Sequence, residues 1–262
     1  MGSLNSSILK TLKVASKSAS KIIIEAYENK NIHTSYKSKK NLVTQTDVEA
    51  EKEIISKILK KFPDSNFIAE ESGIIKKNKN NITWIIDPID GTNNFISGYP
   101  FFCISIAALE NGVITHGSIY DPISNEFFYA SKGNGSFLND KKIFVSRVKK
   151  LSNSILGTGF VMCSDKSVNA NMRNLVRVIK NLRSFRRSGS AALDLAYVAC
   201  GRLDGFWHID LKVWDFAAGI LLVKEAGGKI TDFIGDKFHL DSKNLLASNK
   251  LIHKSIIEKL KI

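Results

Sequence analysis

Apolar positions recur every three or four residues in the first part of the chain, and this spacing predicts amphipathic helices. One helical segment covers residues 48–62; it follows Thr44 and Thr46, both able to cap a helix, and it ends before Pro63 and Asp64. An earlier helical segment carries its apolar residues at Leu4, Ile8, Leu12, Ala15, Ala19, Ile22 and Ala26.

Between residues 66 and 140 the pattern becomes strand-like. Two segments, residues 66–72 and 82–86, read as strands, with a polar loop predicted over residues 72–81. From residue 101 to residue 140, short segments rich in β-branched and aromatic residues are separated by turn sequences such as Asn111-Gly112. Asn-Gly between apolar runs favours a hairpin, so an antiparallel meander is predicted here.

After residue 150, helical and strand-like patterns alternate without a linker. A single domain over residues 1–262 is therefore predicted, with an N-terminal half over 1–145 and a C-terminal α/β half over 146–262. Alternation of this kind after a meander favours a layered α/β fold with two sheets. The helices are expected at 168–182, 190–201, 214–228 and 251–261, and the strands at 205–209, 228–233 and 244–249.

Composition narrows the class of protein. Of the 262 residues, 44% are hydrophobic, yet no apolar run approaches the ~18 residues that span a bilayer. Lysines are scattered through the first helical segment, unlike a signal peptide. The cysteines Cys103, Cys163 and Cys200 are widely spaced, which argues against a disulfide framework or a zinc site. A cytoplasmic protein that does not bind membranes is expected.

Charge is unevenly distributed. The formal net charge is +13, and residues 147–187 contain ten Lys and Arg against a single acid, Asp165, a net charge of +9. Such a segment can bind an anionic partner, such as nucleic acid or an acidic protein surface. It can also be a solvated helix face in a lysine-rich chain, and the sequence leaves both interpretations open.

Candidate chemistry lies in "WIIDPIDGTNNF", residues 84–95. Asp87, Asp90 and Glu70 each follow a strand-like segment, where an isolated charge is costly to bury. A bound cation removes that cost, and oxygen-only ligands select Mg²⁺ rather than zinc or copper. The alternative interpretation is an ordinary turn, because Asp, Pro and Gly are common turn residues.

The neighbouring residues favour a site that binds both metal and phosphate. Pro88 keeps Asp87 extended, and Gly91 allows the backbone to approach a ligand. A helix starting at Thr92 would point free N–H groups at an anion. In "WDFAAG", Asp215 begins an apolar helix, where it can be either a capping residue or a further ligand.

These motifs resemble those of a known family. "DPIDGTNNF" and "WDFAAG" look like the two signatures of the inositol monophosphatase family, in the right order. "AEES" and "LVTQTD" resemble two further family elements, and "RRSGSAALDLAYVACGRLDGFW" is similar to its bacterial branch. The resemblance covers roughly residues 5–250. It implies an αβαβα sandwich, shared with fructose-1,6-bisphosphatase, and a homodimer.

The resemblance also implies the metal ligands and the catalytic groups. Glu70, Asp87 and the carbonyl of Ile89 would hold one Mg²⁺, and Asp87, Asp90 and Asp215 a second. Glu70 would also orient water around a third, weaker ion. Thr92, supported by Asp47, would position the attacking water. The implied substrate-binding residues are Lys37, Gly91, Thr92, Gly189, Ala191, His208 and Asp215.

The sequence departs from the family pattern at Ala69, where glycine is common, and at two positions shortly before the second signature. His208 stands where members acting on inositol phosphate have a glutamate, and Asp210 where the family has glycine. His208 either faces solvent near the pocket mouth or changes the preference for the alcohol. Hydrolysis of a phosphomonoester is predicted, with inositol monophosphate as the first choice. The alternatives are histidinol phosphate, fructose 1,6-bisphosphate, 3′-phosphoadenosine 5′-phosphate, or a regulatory protein that binds the transcription machinery or RNA.

Overall fold

A computed structural model describes residues 2–30, 34–38, 41–75, 82–162 and 164–261, and the structural statements below concern these residues. The helices are α1 (Gly2–Asn29), α2 (Gln45–Leu59), α3 (Thr92–Ile96), α4 (Asp165–Ile179), α5 (Ala191–Ala199), α6 (Val213–Glu225) and α7 (His253–Ile257). A 3₁₀ turn covers Leu151–Asn153.

The first ten strands belong to the N-terminal half of the chain. They are β1 (Thr34–Ser38), β2 (Asn41–Thr44), β3 (Asn66–Ala69), β4 (Gly73–Ile75), β5 (Thr83–Asp90), β6 (Cys103–Glu110), β7 (Val113–Asp121), β8 (Glu126–Ser131), β9 (Gly135–Leu138) and β10 (Lys141–Ile143). The other strands are β11 (Ile155–Thr158), β12 (Ser184–Arg186), β13 (Gly205–Ile209), β14 (Lys229–Thr231) and β15 (Asn244–Ser248).

Two sheets and three helical layers build the fold. The larger sheet has the order β10-β9-β8-β7-β6-β5-β3-β4. Its antiparallel run from β10 to β5 contains the predicted meander, with β5 added on one side and β10, which was not predicted, on the other. The smaller sheet has the order β12-β11-β13-β15-β14. A separate hairpin pairs β1 with β2.

Alternation along the strands of the larger sheet explains the layering. Trp84 and Ile86 of β5 pack in the core formed with α1 and α2, whereas Ile85 packs on the other face with α5 and α6. The second face of α5 and α6 meets the smaller sheet, at residues such as Phe206. Helices α4 and α7 cover the far side of that sheet through a third core that includes Trp207. The predicted αβαβα sandwich is therefore confirmed.

Several predicted elements differ in detail. Gly73–Ile75 pairs with β3, so the predicted loop over 72–81 was wrong at its start, and residues 76–81 lie outside the described ones. The predicted C-terminal helix is limited to α7. Ile23 rather than Ile22 is fully buried in α1. The pattern missed the β1–β2 hairpin and the short strands β11 and β12, since three to five residues carry too little periodicity.

Candidate active site

The site begins at an irregularity in β5. Strand residues three apart normally face opposite sides of a sheet. In the pairing of β5 with β6, however, the register moves from Asp87 opposite Ser105 to Asp90 opposite Cys103, so three steps on β5 match two on β6. This one-residue bulge turns the strand, and it allows both aspartates to face one point. The strand thus continues to Asp90, and the prediction that it ends at residue 86 was wrong.

Three carboxylates meet at this point. Ligand oxygens of Asp87, Asp90 and Asp215 all lie within 4.8 Å of one another. Asp87 and Asp90 are buried, and Asp215 is half-buried. Within the described part of the chain, no lysine or arginine forms an ion pair with any of the three. Three adjacent carboxylates without a cation suit a hard divalent ion that oxygen ligands bind, as Mg²⁺ does.

The pKa values of these groups report the same crowding. Burial raises the pKa of Asp87 well above its ordinary value, and the nearby charge of Glu70 raises it further. Burial raises the pKa of Asp90 to about 6, against the opposing effect of hydrogen bonds from Ser190 and Ala192. Burial is the main cause that raises the pKa of Asp215, and the nearby negative charge of Asp90 raises it further. Each carboxylate is therefore harder to ionise in the metal-free protein, as expected for like charges that share a site.

Asp90 is held by a part of the chain about one hundred residues away. Its Oδ2 accepts a hydrogen bond from Ser190 Oγ at 2.6 Å and another from the backbone N–H of Ala192, also at 2.6 Å. Ser190 is the N-cap of α5, where its side chain also accepts from the N–H of Leu193. The negative carboxylate lies at a helix N-terminus, which favours it. Ser190 was not among the predicted site residues, although a serine before a helical pattern is a capping signal.

Asp215 serves both functions that the sequence left open. It is the third residue of α6, and its Oδ2 accepts a hydrogen bond from the backbone N–H of Lys212 at 2.8 Å, as a capping residue would. It also belongs to the carboxylate cluster. The cap uses one oxygen and fixes the direction of the other, so the two roles are compatible.

Thr92 connects the cluster to α2. Its hydroxyl lies 3.4 Å from Asp47 Oδ1 and 3.0 Å from the carbonyl oxygen of Ile89. Asp47 is held in turn by a capping box, in which its Oδ2 accepts from the N–H of Thr44 at 2.8 Å. The structure therefore places Thr92, Asp47 and Ile89 together beside the carboxylates.

Two further predicted site residues, Glu70 and Lys37, are not members of the three-carboxylate cluster. Glu70 follows β3 and raises the pKa of Asp87, Asp90 and Asp215, so its carboxylate lies near the cluster, although outside the group whose ligand atoms meet within 4.8 Å. Lys37 belongs to β1, and its side chain lies outside the described residues.

Gly91 and Gly189 each occupy a position where a side chain would not fit. Gly91 has a φ of +101°, and a Cβ there would lie 3.0 Å from the carbonyl oxygen of Phe101. Gly189 has a φ of +97°, and a Cβ there would lie 2.7 Å from Nδ2 of Asn94. That amide donates to the carbonyls of Phe101 and Ser188 at 2.7 and 2.9 Å. Both positions therefore require glycine, because the backbone is left-handed and packs closely against neighbouring protein atoms.

A pocket of about 180 Å³ opens beside the carboxylate cluster. Gly189 and Ala191, both predicted to bind substrate, line it together with Asp90, Asp215 and His208. Sequence analysis did not single out the other lining residues, which are Gly159, Phe160, Val161, Arg187, Ser190, Asp194, Phe206 and Leu211. They come from three separate stretches of the chain, 159–161, 187–194 and 206–211, and no local pattern links them.

His208 is buried, with a relative exposure of 5%, so the interpretation that it faces solvent was wrong. It belongs to β13, in the smaller sheet, and lies in the pocket wall. Its Nδ1 lies 2.8 Å from the carbonyl oxygen of Ile209. Burial lowers the pKa of His208 to about 4, so the imidazole is neutral at pH 7. Because a carbonyl can only accept, Nδ1 carries the proton and Nε2 is an acceptor.

Asp210, another departure from the family pattern, adopts a left-handed conformation with a φ of +61°. Glycine adopts that conformation without strain, and aspartate is one of the few other residues that tolerate it. Its carboxylate accepts a hydrogen bond from the hydroxyl of Ser167 in α4. The substitution is thus compatible with the turn and ties it to α4.

Asp194 is a buried carboxyl in the pocket wall. Its relative exposure is 2%, and its Oδ1 has no hydrogen-bond partner among the described atoms. Burial raises the pKa of Asp194 to about 8, so most of this group is protonated at pH 7. It therefore adds little negative charge to the pocket.

The fold and this site define the class of protein. A model of the inositol monophosphatase family matches residues 4–262, and the chain belongs to that family. It is 40% identical over 247 residues to a "Nus factor SuhB" of Pasteurella multocida, a match that covers 94% of this chain and 92% of the relative. The SuhB of Escherichia coli K12 is also 40% identical, over 244 residues, 93% of this chain and 91% of the relative.

Solved structures agree with this assignment. The "extragenic suppressor protein suhB" of Bartonella henselae superposes with a TM-score of 0.93 at 38% identity, covering 97% of this chain and 98% of that one. An IMPase from Thermotoga maritima superposes with a TM-score of 0.87, also at 38% identity, covering 99% and 96%. The chain therefore has the fold of this family, and its relatives include proteins named as IMPases and proteins named as Nus factors.

Proposed function

We propose that the protein is a Mg²⁺-dependent phosphomonoesterase that hydrolyses myo-inositol monophosphate, or a similar small sugar or polyol phosphate, to the alcohol and inorganic phosphate. The observation that carries this proposal is the cluster of Asp87, Asp90 and Asp215, which lacks a cationic partner among the described residues and borders a pocket. Two Mg²⁺ ions, with a third bound more weakly, are proposed. Glu70 and the carbonyl of Ile89 are the further ligands.

In this proposal the chain binds and orients the reactants. Bound Mg²⁺ supplies Lewis acidity and lowers the pKa of coordinated water. Thr92, held against Asp47, orients the water whose oxygen forms the new bond to phosphorus. Backbone N–H groups of Gly91 and Thr92 hold phosphate oxygens. The bond from phosphorus to the alcohol oxygen breaks, and the proton that the attacking water loses ends on the departing alcohol.

The proposed substrate-binding residues are those of the pocket wall and Lys37, whose side chain lies outside the described residues. Gly189 and Ala191 would lie against the alcohol, with His208 beside them, and Lys37 would lie near the metal site. The alternative substrates with the same chemistry are histidinol phosphate, fructose 1,6-bisphosphate and 3′-phosphoadenosine 5′-phosphate. All are phosphomonoesters, so the carboxylate cluster does not discriminate among them.

Release of inorganic phosphate by the purified protein tests the proposal. With Mg²⁺ present, we expect hydrolysis of at least one of the four esters, with inositol monophosphate preferred, and loss of activity when EDTA removes the metal. Equal, weak rates on all four would identify a non-specific phosphatase. No release of phosphate from any of them at neutral pH would refute the proposed activity.

A second candidate function is the binding of RNA or of the transcription machinery, and one surface favours it. All ten basic residues of the segment 147–187 are exposed. On α4, Arg173 and Arg177 alternate with the exposed apolar side chains of Met172 and Val176. An apolar stripe flanked by arginines is typical of a macromolecular interface. The relatives named as Nus factors are consistent with such a role.

Replacing the α4 cations tests this candidate. A variant with Arg173→Gln, Arg177→Gln and Lys180→Gln is expected to bind RNA or RNA polymerase at least tenfold more weakly at low salt, because it loses three contacts to anions. A matched control replaces Lys52, Lys60 and Lys61, exposed on or just after α2, and should bind normally. Binding should also survive Asp90→Asn. Absence of binding by the wild-type protein at low salt would eliminate this function.

Assembly and location are also proposals. The family resemblance favours a homodimer, and gel filtration of the purified protein tests it. No helix in the described part of the chain is both long and apolar enough to cross a membrane. A cytoplasmic location is proposed because Cys103 and Cys200 are free thiols, as is common in a reducing compartment. Cys163 lies outside the described residues.

A further inference from the structure

The pocket beside the carboxylate cluster is lined by one basic side chain among the described residues. That residue is Arg187, which is exposed. Among the described residues, no carboxylate lies within ion-pairing distance of its guanidinium. Apart from the carboxylates of the cluster, the described pocket lining contains one carboxyl, that of the buried Asp194. The charge of Arg187 acts on this carboxyl, where it opposes the rise in pKa that burial causes. A guanidinium in this setting favours an anionic group on the ligand.

His208 completes this wall as a neutral acceptor. Its Nδ1 donates to the carbonyl of Ile209, so Nε2 can accept a hydrogen bond. The edge of the ring lies over Gly159, where a Cβ would come within 2.6 Å of Nε2. Glycine at position 159 thus allows the ring to pack closely against the backbone, and both residues line the pocket. A ligand hydroxyl that reaches Nε2 from the pocket would find an acceptor.

A buried network fixes the backbone that carries Gly159. Nδ2 of Asn171 donates to the carbonyl oxygen of Gly159 at 2.6 Å and to the hydroxyl of Thr158 at 2.9 Å. The indole N–H of Trp207 donates to the other end of that amide at 2.7 Å. Asn171 and Trp207 are buried. His208 and Gly159 therefore form a preorganised surface. A ligand that binds there pays little free energy for ordering the protein.

We infer that Arg187 and His208 select phosphomonoesters whose alcohol carries a second anionic group, a carboxylate or another phosphate, next to a hydroxyl. Arg187 binds the second anion, and Nε2 of His208 accepts from the hydroxyl. The inference rests on the proposed phosphatase function and narrows its substrate class. It also explains why an uncharged imidazole suits this wall, because a carboxylate at the same place would repel the anion and pair with Arg187.

A matched pair of esters tests the inference. Glycerol 3-phosphate and 3-phosphoglycerate differ by the replacement of a hydroxymethyl group with a carboxylate. For the wild-type enzyme with Mg²⁺, we expect kcat/KM to be about tenfold higher for 3-phosphoglycerate, the size of effect that one partly exposed charge-assisted contact supplies. Arg187→Gln should abolish the preference, and Arg187→Lys should keep part of it. Arg183→Gln, an exposed arginine outside the pocket lining, is the control and should retain the preference.

His208 variants separate charge from hydrogen bonding. His208→Gln keeps a neutral acceptor and should retain most of the preference, whereas His208→Glu should reduce it towards that of Arg187→Gln. Binding provides a readout independent of turnover: calorimetry with Ca²⁺ in place of Mg²⁺ should show tighter binding of 3-phosphoglycerate, again lost in Arg187→Gln.

The outcomes distinguish this inference from the proposed function. Hydrolysis of both esters at equal efficiency, unchanged by Arg187→Gln, would overturn the inference and leave the phosphatase function standing. If neither ester is hydrolysed, the two affinities still decide: equal affinities overturn the inference, and a preference that depends on Arg187 supports it. The proposed activity itself is decided separately, by the four-ester assay.

Discussion

Asp90→Asn is expected to yield a folded protein whose kcat is at least about a thousandfold below that of the wild type, because the carboxylate that faces Asp87 and Asp215 is lost. The amide oxygen of asparagine can still accept from Ser190 Oγ and the N–H of Ala192, which hold Asp90 in place. Removal of one charge also relieves repulsion within the cluster. The metal-free variant should therefore unfold at a temperature no lower than that of the metal-free wild type.

Phosphate release under saturating Mg²⁺ and thermal unfolding followed by circular dichroism measure the two parts of this prediction. Asp241→Asn is a matched control, because Asp241 is exposed in the loop before β15. Its activity should lie within about twofold of the wild type. A Mg²⁺-dependent Asp90→Asn enzyme with near-normal kcat would contradict the assignment of the metal site.

Mg²⁺ is expected to stabilise the protein strongly at pH 7.5 and weakly at pH 5.5. Binding at a hundred times the dissociation constant contributes about 2.7 kcal/mol, which corresponds to a rise in Tm of roughly 5–10 °C for a chain of this size. The rise should shrink at low pH because protons compete with the ion: Asp90 has a pKa of about 6, and the pKa values of Asp87 and Asp215 are also raised.

The sign of this effect follows from linkage. A carboxyl whose pKa is raised on folding binds more protons in the folded state, so its contribution to stability falls as the pH rises from its ordinary pKa of 3.8 through the folded value. By pH 7.5 the metal-free protein therefore bears the repulsion within the cluster, which Mg²⁺ relieves. At pH 5.5 part of that repulsion has already been removed by protonation.

Two histidines give stability the opposite dependence on pH, and their effect must be distinguished from that of the carboxylate cluster. Burial lowers the pKa of both His208 and His253 to about 4, so their contribution to stability is present above the ordinary value of 6.5 and is lost as the pH falls towards 4. This loss occurs with and without Mg²⁺. It cancels when Tm is compared at a fixed pH. The same rise in Tm with Mg²⁺ at pH 5.5 and pH 7.5 would show that the raised carboxyls are not the metal ligands.

Local patterns predicted most of the elements and the type of ligand. The helical period places Ile8, Leu12 and Ala15 on one face of α1, and that face is buried. Thr44 was a recognisable cap, and it caps α2. The oxygen-only character of Asp87 and Asp90 indicated a hard cation before any distance was known. These features depend on residues within a few positions of one another, which is the range over which a sequence pattern reports structure.

The geometry of the site depended on long-range pairing. Asp87 and Asp90 face the same point because β5 bulges where it pairs with β6, and the sequence of β5 alone does not specify a bulge. Ser190, which positions Asp90, is one hundred residues away in the chain. Such contacts are set by how the layers pack.

The sequence by itself determined the family, the layered fold and the acidic residues, since each is written in short motifs and in the period of apolar residues. Only the tertiary structure decided that His208 is a buried neutral acceptor over Gly159 rather than a solvent-facing residue. It also decided that Arg187 shares a pocket with the carboxylate cluster. Burial and proximity arise from the packing of distant segments, and these two properties set the charge and hydrogen-bonding character of the pocket wall.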